Sequence, residues 1–301
     1  MKICVIFNPT ARGQKASKFR DHLRDLASEC SLKPTHIAGA GRSLASEAVR
    51  EGFDTIVAAG GDGTVNEVVN GIAEEEQGLA GCRLAVLPLG TVNVFAKEIG
   101  MPTRFTDAWK VIRAGHETRI DLPVAEFQSD GLARRRYFAQ MAGAGLDARA
   151  VDLVNWEHKK RLGQLAYGIA GLKALRETKT QIVATANGET IGGELVLIGN
   201  GRFYAGPYPF FPLAEMQDGL LEVSIFPRVN WLSLGRGALG LVTNRLYTVG
   251  GVRNFRAPSV EVSSAGRAMF HLEGENAGHL PVKFSIQGAA LRVVVPDRPA
   301  R

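Results

Sequence analysis

The strongest chemical signal in the sequence is a cluster of three glycines around one aspartate. Residues Ala58–Thr64 are Ala-Ala-Gly-Gly-Asp-Gly-Thr, at the point where an apolar strand ends and a helical pattern begins. Glycines let a phosphate approach the backbone, and the helix start presents unpaired N–H groups at the positive end of its dipole. The segment therefore predicts an anion site, although it is neither a P-loop nor a G-x-G-x-x-G fingerprint. The structural alternative is a tight turn in which Thr64 caps the helix.

Two further loops carry glycine and polar residues. Leu87–Asn93 lies between a strand and a helix, and Asn8–Gly13 follows the first strand. Because open parallel sheets bind ligands at the carboxyl ends of their strands, we expect the three loops to form one nucleotide site. Asn66, Glu67 and Asn70 add polar groups to the helix after the first loop, and a solvated helix face is the alternative for each of them.

The elements that must position these loops alternate between strand and helix over residues 1–122. Apolar runs at Lys2–Asn8, Thr55–Ala59 and Arg83–Leu87 predict strands, and the spacing of Gln14–Ser28 and Val65–Glu74 predicts helices. This alternation predicts βαβ units in an N-terminal, doubly wound α/β nucleotide-binding domain.

Residues 123–301 have a different sequence pattern. Short β-rich runs are punctuated by turn pairs such as Asn187-Gly188 and Asp218-Gly219. The pattern predicts a C-terminal antiparallel β-sandwich domain, with the boundary near Asp121–Pro123. In an alternative division, the segment after about residue 290 rejoins the first domain.

Composition excludes several classes of protein. The chain has 301 residues, 45% of them hydrophobic, with 36 Lys+Arg against 30 Asp+Glu, so its formal net charge is +6. These values are typical of globular proteins. The three cysteines show no ligand spacing, which argues against a disulfide framework and a structural zinc site. With neither a signal peptide nor a long apolar run, we expect a cytoplasmic protein. No motif indicates nucleic-acid binding.

The motifs together resemble the catalytic family of the diacylglycerol kinases, which also includes sphingosine, ceramide and bacterial lipid kinases. The matching segments occur in order over nearly the whole chain: Asn8-Pro9, Gly60–Thr64, Asn66-Glu67, Asn70-Gly71, Pro88–Asn93, Phe95-Ala96, Gly143–Ala148, Gly199–Gly201, Asp218–Leu221 and Glu273–Glu275.

The resemblance implies a lipid kinase that binds ATP and Mg²⁺ between its two domains. The acceptor would be a hydroxyl of a diacylglycerol-like, sphingoid or phosphatidylglycerol-like lipid. The implied nucleotide-binding residues are Asn8, Thr35, Gly61, Asp62, Gly63, Thr64, Val65, Asn66, Glu67 and Thr91.

The resemblance also implies metal-binding and catalytic residues. Asp62 would hold the catalytic Mg²⁺, with Asp121 behind it. Glu275 would be the general base, with Glu273 as the other member of a catalytic acidic pair, and a solvated hairpin turn is the alternative. A structural metal would be bound by Asp218 and by the carbonyl groups of Glu215 and Leu220.

Two features predict peripheral contact with the inner membrane surface. A basic run, Trp156–Arg161, leads into an amphipathic stretch within Lys160–Arg176, and Phe203–Leu213 is rich in aromatic residues and proline. The alternatives are that the helical stretch packs on its own domain and that the aromatic stretch walls an acyl-chain pocket or forms inter-sheet core.

Two residues depart from the family pattern. Val94 stands where many members carry aspartate, and Glu273 stands for the usual aspartate of an Asp-Gly-Glu motif. Val94 motivates a non-catalytic lipid- or nucleotide-binding protein of the same fold as an alternative function. A second alternative is a kinase of a soluble substrate similar to NAD kinases, which share the Gly-Gly-Asp-Gly-Thr turn.

Overall fold

The computed structural model describes residues 1–9, 14–153, 180–204, 206, 208–243, 245–249 and 251–297. The chain divides into two compact units between Leu122 and Pro123. The first unit also includes the chain from Gln287 onward and a short stretch at Gly206, and the second extends to Ile286. Residues 10–13 of the Asn8–Gly13 loop and the whole stretch from Trp156 to Arg176 lie outside the described residues.

The first unit alternates strands with helices. Its strands are β1 (Ile3–Phe7), β2 (Ser31–Pro34), β3 (Thr55–Gly60), β4 (Arg83–Pro88) and the beginning of β5 (Glu117–Ser129). Its helices are α1 (Gln14–Asp21), α2 (Leu23–Glu29), α3 (Ala40–Arg50), α4 (Asp62–Glu74), α5 (Gly78–Gly81), α6 (Val94–Glu98) and α7 (Phe105–Ala114).

The second unit is dominated by strands. They are the end of β5, then β6 (Leu132–Tyr137), β7 (Met141–Gly145), β8 (Ile182–Ala186), β9 (Glu189–Gly193), β10 (Leu195–Gly199), β11 (Phe203–Tyr204), β12 (Tyr208–Pro209), β13 (Leu221–Phe226), β14 (Arg253–Ala257), β15 (Ser259–Ser264), β16 (Met269–Leu272), β17 (Glu275–His279) and β18 (Val282–Val294). Helices of this unit are α8 (Leu146–Leu153), α9 (Trp231–Val242) and α10 (Leu246–Val249). The end of β18 belongs to the first unit.

The sheet of the first unit is parallel. Its strand order is β2-β1-β3-β4, followed by the end of β18, which pairs parallel with β4. Every residue of β1 and β3 is buried, as expected for strands of a parallel sheet covered by helices. Helices α3 and α4 pack closely because Gly71 has no side chain: a Cβ there would lie 2.1 Å from the Arg42 carbonyl oxygen. The predicted α/β domain is confirmed.

The second unit is an antiparallel β-sandwich, as predicted. One sheet has the order β14-β13-β10-β7-β16-β17, and the other includes β15, β8, β9 and the beginning of β18. Their facing side chains form one core, in which Ile182 and Phe284 of one sheet join Val196, Val223 and Phe270 of the other.

A smaller core covers the other face of β10 and β13. Phe211 is fully buried in it, together with Leu197 and Phe226. A Cβ on Gly199 would lie 2.4 Å from the Phe211 ring, so this glycine makes room for the aromatic ring. The aromatic stretch therefore supports the outer face of a sheet rather than the space between the sheets.

Within the described part of the chain, none of the helices combines the length and the apolar character needed to cross a bilayer.

Candidate active site

The parallel register brings the predicted nucleotide residues of the first unit to one edge of the sheet. The Thr35 amide donates to the Phe7 carbonyl oxygen at 2.8 Å, which places Thr35 beside the end of β1 and next to Asn8. The amides of Leu89 and Gly90 donate to the Gly60 carbonyl oxygen at 3.0 and 3.2 Å. The loops that carry Asn8, Thr35, Gly61 and Thr91 therefore follow neighbouring strands. The pattern of strands and glycines predicted this for the loops of Asn8, Gly61 and Thr91, whereas Thr35 was implied only by the family resemblance.

Two glycines allow close packing at the loops after β3 and β4: Gly90 between the two loops, and Gly60 within the first. A Cβ on Gly90 would lie 2.5 Å from the Cα of Gly61 and 2.8 Å from Asn93 Oδ1. A Cβ on Gly60 would lie 2.2 Å from Thr64 Oγ1, so the threonine hydroxyl folds back over Gly60. No side chain with a Cβ fits at either position without a shift of its neighbours.

Helix α4 begins without a side-chain cap. Its N-cap residue is Gly61, which has extended backbone and makes no side-chain hydrogen bond. The first helical hydrogen bond runs from the Val65 amide to the Gly61 carbonyl oxygen at 3.1 Å. The amides of Asp62, Gly63 and Thr64 precede it and have no helical acceptor. This arrangement suits a phosphate, which carries charge of the sign that the helix dipole favours.

Asp62 is the first residue of α4, and one of its carboxylate oxygens is available to a metal. Its Oδ1 accepts the Phe95 amide at 3.0 Å, which ties the carboxylate to α6. Oδ2 has no hydrogen-bond partner among the described residues. One free carboxylate oxygen beside a phosphate site fits Mg²⁺, which takes one or two carboxylates and completes its shell with phosphate and water.

Asp121, the predicted companion of Asp62, is held within β5. It is buried, and its Oδ1 accepts the Ala289 amide at 2.7 Å. No group of three or more His, Cys, Asp or Glu residues in the described ranges could hold a metal by itself. A metal at Asp62 would therefore depend on phosphate and water for most of its ligands.

Three predicted residues of α4 face the interior of their own domain. Val65 and Asn66 are buried, and Asn70 Nδ2 donates to Asn66 Oδ1 at 3.0 Å and to the Asn66 carbonyl oxygen at 2.9 Å. The Val65 amide is also occupied, because it donates to the Gly61 carbonyl oxygen, so contact of Val65 with a nucleotide stays a prediction. Contact of the Asn66 side chain with a nucleotide stays a prediction.

Glu67 has a structural function that the sequence did not reveal. Its Oε1 accepts the Gly39 amide at 2.9 Å, and its Oε2 accepts the Gly41 amide at 2.8 Å. Glu67 thus caps α3, whose own N-cap residue, Gly39, has no capping side chain. A Cβ on Gly41 would lie 2.5 Å from Glu67 Oε2, so the glycine makes room for the carboxylate. The predicted contact of Glu67 with phosphate is untested.

In the second unit, the acidic pair divides into a half-buried anchor and an exposed carboxylate. Glu273 has a positive φ of 53°, and its Oε1 accepts the amides of Ala139 and Gln140 at 2.8 and 2.7 Å. Asn200, from the Gly199–Gly201 motif, donates to the Ala139 carbonyl oxygen at 2.8 Å. The side chain of Glu275 is exposed at the start of β17. Of the two, Glu275 is the one available to a substrate.

The predicted structural metal site holds an arginine instead. Arg256 Nη2 donates to Asp218 Oδ2, and Asp218 Oδ1 accepts the Leu220 amide at 2.9 Å. The Glu215 carbonyl oxygen accepts the Asp218 amide at 3.4 Å. A guanidinium therefore neutralises the carboxylate, and a metal would have to displace Arg256. These residues do not fit the metal without that rearrangement.

Sequence reasoning missed a pair behind the Glu273–Glu275 turn. Asp147 and His271 contact each other, although the sequence assigned neither a role. Asp147 belongs to the Gly143–Ala148 motif, which was the available signal. His271 is a single histidine within an apolar strand and gave none.

Two family models together match most of the chain. Residues 2–125 match the diacylglycerol kinase catalytic domain, and residues 140–295 match the YegS C-terminal NAD kinase beta sandwich-like domain.

Curated relatives match over nearly their whole length. A diacylglycerol kinase of Staphylococcus saprophyticus is 31% identical, over 97% of this chain and 95% of the relative. One of Staphylococcus aureus (strain bovine RF122 / ET3-1) is also 31% identical, over 93% of this chain and 88% of the relative.

A solved structure has the same fold. It is that of a diacylglycerol kinase from Bacillus anthracis str. Sterne, with a TM-score of 0.77 and 23% identity over 98% of this chain and 97% of that one. With the family models and relatives, these findings show that the chain belongs to the diacylglycerol kinase family and is a lipid kinase.

Proposed function

We propose that this member of the diacylglycerol kinase family transfers the γ-phosphate of ATP to a hydroxyl group of a diacylglycerol-like or sphingoid lipid, in a Mg²⁺-dependent reaction. The observation that carries the proposal is the uncapped start of α4 beside the Asp62 carboxylate. It offers backbone donors for phosphate and one oxygen for a metal within a single turn of helix.

The first unit binds the nucleotide in this proposal. The amides of Asp62, Gly63 and Thr64 donate to phosphate oxygens, and Gly61 leaves the backbone accessible. Asn8, Thr35 and Thr91, on the neighbouring loops, add polar contacts. Asp62 Oδ2 would hold Mg²⁺, which would neutralise charge on the phosphate oxygens.

The second unit supplies the base. The Glu275 carboxylate takes the proton of the lipid hydroxyl as the hydroxyl oxygen bonds to the γ-phosphorus. The bond between that phosphorus and the bridging oxygen breaks, and ADP leaves with the electron pair. The products are a phosphorylated lipid and a protonated Glu275, which returns its proton to water.

Helix α9 gives the proposal a surface for peripheral membrane contact. Large apolar side chains of this helix are exposed, namely Trp231 (62%), Leu232 (72%), Leu239 (55%) and Val242 (86%). Exposed arginines accompany them at positions 228, 236 and 245. Tryptophan favours the bilayer interface and arginine attracts anionic headgroups, so the partner we assign to α9 is an anionic lipid surface.

Vesicle sedimentation tests this surface. We expect the protein to bind vesicles of phosphatidylcholine mixed with phosphatidylglycerol more strongly than phosphatidylcholine alone. Leu232→Ser should weaken that binding by about tenfold, from the lost burial of one leucine. Leu132→Ser is the matched control, because Leu132 is 56% exposed on β6. Equal binding by both variants would refute the assignment.

The reaction itself is tested by transfer of label from radiolabelled ATP. Purified protein is mixed with Mg²⁺ and with diacylglycerol, monoacylglycerol, sphingosine, ceramide or phosphatidylglycerol in micelles, and with NAD as a soluble acceptor. We expect label in a lipid, and none after chelation of the metal. Label in NAD alone would replace the lipid with a soluble substrate. Nucleotide binding without transfer would support a non-catalytic protein.

A further inference from the structure

A fully buried histidine lies directly behind the Glu273–Glu275 turn. His271 is in β16, at a bulge where the register of β16 with β17 shifts. The Gly274 amide donates to His271 Nδ1 at 3.3 Å. Since Nδ1 accepts, the ring proton is on Nε2, which faces the Asp147 carboxylate. The imidazole thus joins a carboxylate to the backbone of the turn.

The space for this pair is provided by one glycine. Gly143 is paired with His271 across β7 and β16. A Cβ on Gly143 would lie 2.5 Å from His271 Nε2 and 2.6 Å from Asp147 Oδ2. Any other residue at position 143 would push the two side chains apart.

Asp147 remains a carboxylate in this setting. Burial by itself would raise the pKa of Asp147, but His271 beside it and a hydrogen bond from the Tyr204 hydroxyl outweigh burial and lower this pKa. The carboxylate therefore accepts from Nε2, which leaves Nδ1 to accept the backbone amide.

The turn needs this support because its backbone is unusual. Glu273 and Gly274 both have positive φ, 53° and 75°. The Glu273 amide donates to the Met141 carbonyl oxygen at 3.0 Å, and the Glu273 carboxylate is anchored at Ala139 and Gln140. The contact with His271 fixes Gly274, the residue between that anchor and Glu275.

We infer that His271, oriented by Asp147, is a positioning residue for Glu275. This inference rests on the proposed function of Glu275 as the base. The imidazole holds the Gly274 amide, and through it sets the direction in which the Glu275 carboxylate leaves the backbone. Neither Asp147 nor His271 exchanges a proton with the substrate.

Paired amide variants separate the two contacts of the imidazole. The amide oxygen of His271→Asn replaces Nδ1 and keeps an acceptor for Gly274. His271→Gln places its amide near Nε2, so it keeps a partner for Asp147 and leaves the Gly274 amide unpaired. We expect His271→Gln to lower kcat by roughly tenfold or more, as for a misplaced catalytic group, with KM for ATP unchanged. His271→Asn should restore most of that loss.

Controls distinguish positioning from stability. His279→Gln, on β17 of the same hairpin, should leave kcat unchanged. All variants are assayed well below their melting temperatures, and Asp147→Asn, which keeps the size of the side chain, replaces any His271 variant that fails to fold. We expect Asp147→Asn to lower kcat less than His271→Gln, again with KM for ATP unchanged.

Two results would overturn different statements. If Glu275→Gln is inactive but His271→Gln and Asp147→Asn both keep the wild-type kcat, the positioning role is wrong and the base assignment survives. If Glu275→Gln keeps the wild-type kcat, the base assignment itself is wrong, and the positioning role fails with it. A melting temperature that falls without a change in kcat counts as the first result.

Discussion

The two turns to which we assign the phosphate site and the base are held in opposite ways. The Gly60–Thr64 turn is fixed by its own helix and by the loop after the adjacent strand, through Gly60, Gly90 and Phe95. The Glu273–Glu275 turn is fixed by residues far away in sequence, since Glu273 and Ala139 are 134 residues apart. The first turn therefore depends on glycines and local geometry, and the second depends on buried polar side chains of the sandwich.

The largest effect is expected at the first turn itself. Asp62→Ala should lower turnover by roughly a hundredfold or more, because it removes the carboxylate proposed to hold the Mg²⁺ that neutralises charge on the phosphate. The protein should remain folded, since Asp62 makes one hydrogen bond to Phe95. Steady-state kinetics and circular dichroism check both statements. Glu76→Ala, at an exposed acid of the same unit, is the control, and an active Asp62→Ala would contradict the metal role.

A glycine substitution tests whether close approach of the two loops is required. Gly90→Ala places a Cβ against Gly61 Cα, so we expect ATP affinity to fall by about tenfold as the phosphate loop shifts. Gly81→Ala is a matched control, since a Cβ there meets no atom within 4 Å. Calorimetric titration with ATP measures both. Equal affinities would show that the loops can separate without loss.

Substitution of Glu273 tests whether contacts between distant residues hold the Glu273–Glu275 turn. Glu273→Ala leaves the amides of Ala139 and Gln140 without this acceptor, and should cost about 2 kcal/mol of unfolding free energy. Glu275→Ala should cost far less, because Glu275 is exposed. Urea unfolding of the two variants gives the comparison. If the two losses are equal, the anchor role of Glu273 is wrong.

Substitution of Glu67 distinguishes a role in capping α3 from a role in binding the nucleotide. Glu67→Ala removes the cap of α3 and should cost about 1 kcal/mol of unfolding free energy, with KM for ATP unchanged. Glu76→Ala again serves as the control. A raised KM with unchanged stability would instead support the predicted contact with the triphosphate.

The smallest effect is the pH dependence of stability that comes from Asp147. Because the pKa of Asp147 is lowered from 3.8 in the folded protein, its carboxylate stabilises the fold above that pH. This stabilisation is lost as the pH falls below 3.8, where the unfolded chain takes up the proton first. Asp147→Asn should flatten this part of the curve in urea unfolding between pH 6 and about pH 3. An unchanged slope would show that another group is responsible.

The same contrast between local and distant contacts decides which features could be predicted from the sequence. The alternation of strands and helices, the glycine-rich turn between β3 and α4, and the sandwich all have local signatures, and the structure confirms these elements. The partners of Glu67, Asp218 and His271 do not, because they lie 26, 38 and 124 residues away, at Gly41, Arg256 and Asp147. A carboxylate that caps a distant helix has the same sequence signature as one that lines a phosphate site.

The central claim is that the first unit binds ATP and that Glu275 of the second unit activates the lipid hydroxyl. The most direct test measures label transfer from ATP to lipid by Glu275→Gln, with the Kd for ATP determined on the same preparation. The account predicts loss of transfer with the wild-type Kd. Transfer at the wild-type rate, with the fold and the Kd intact, would contradict it.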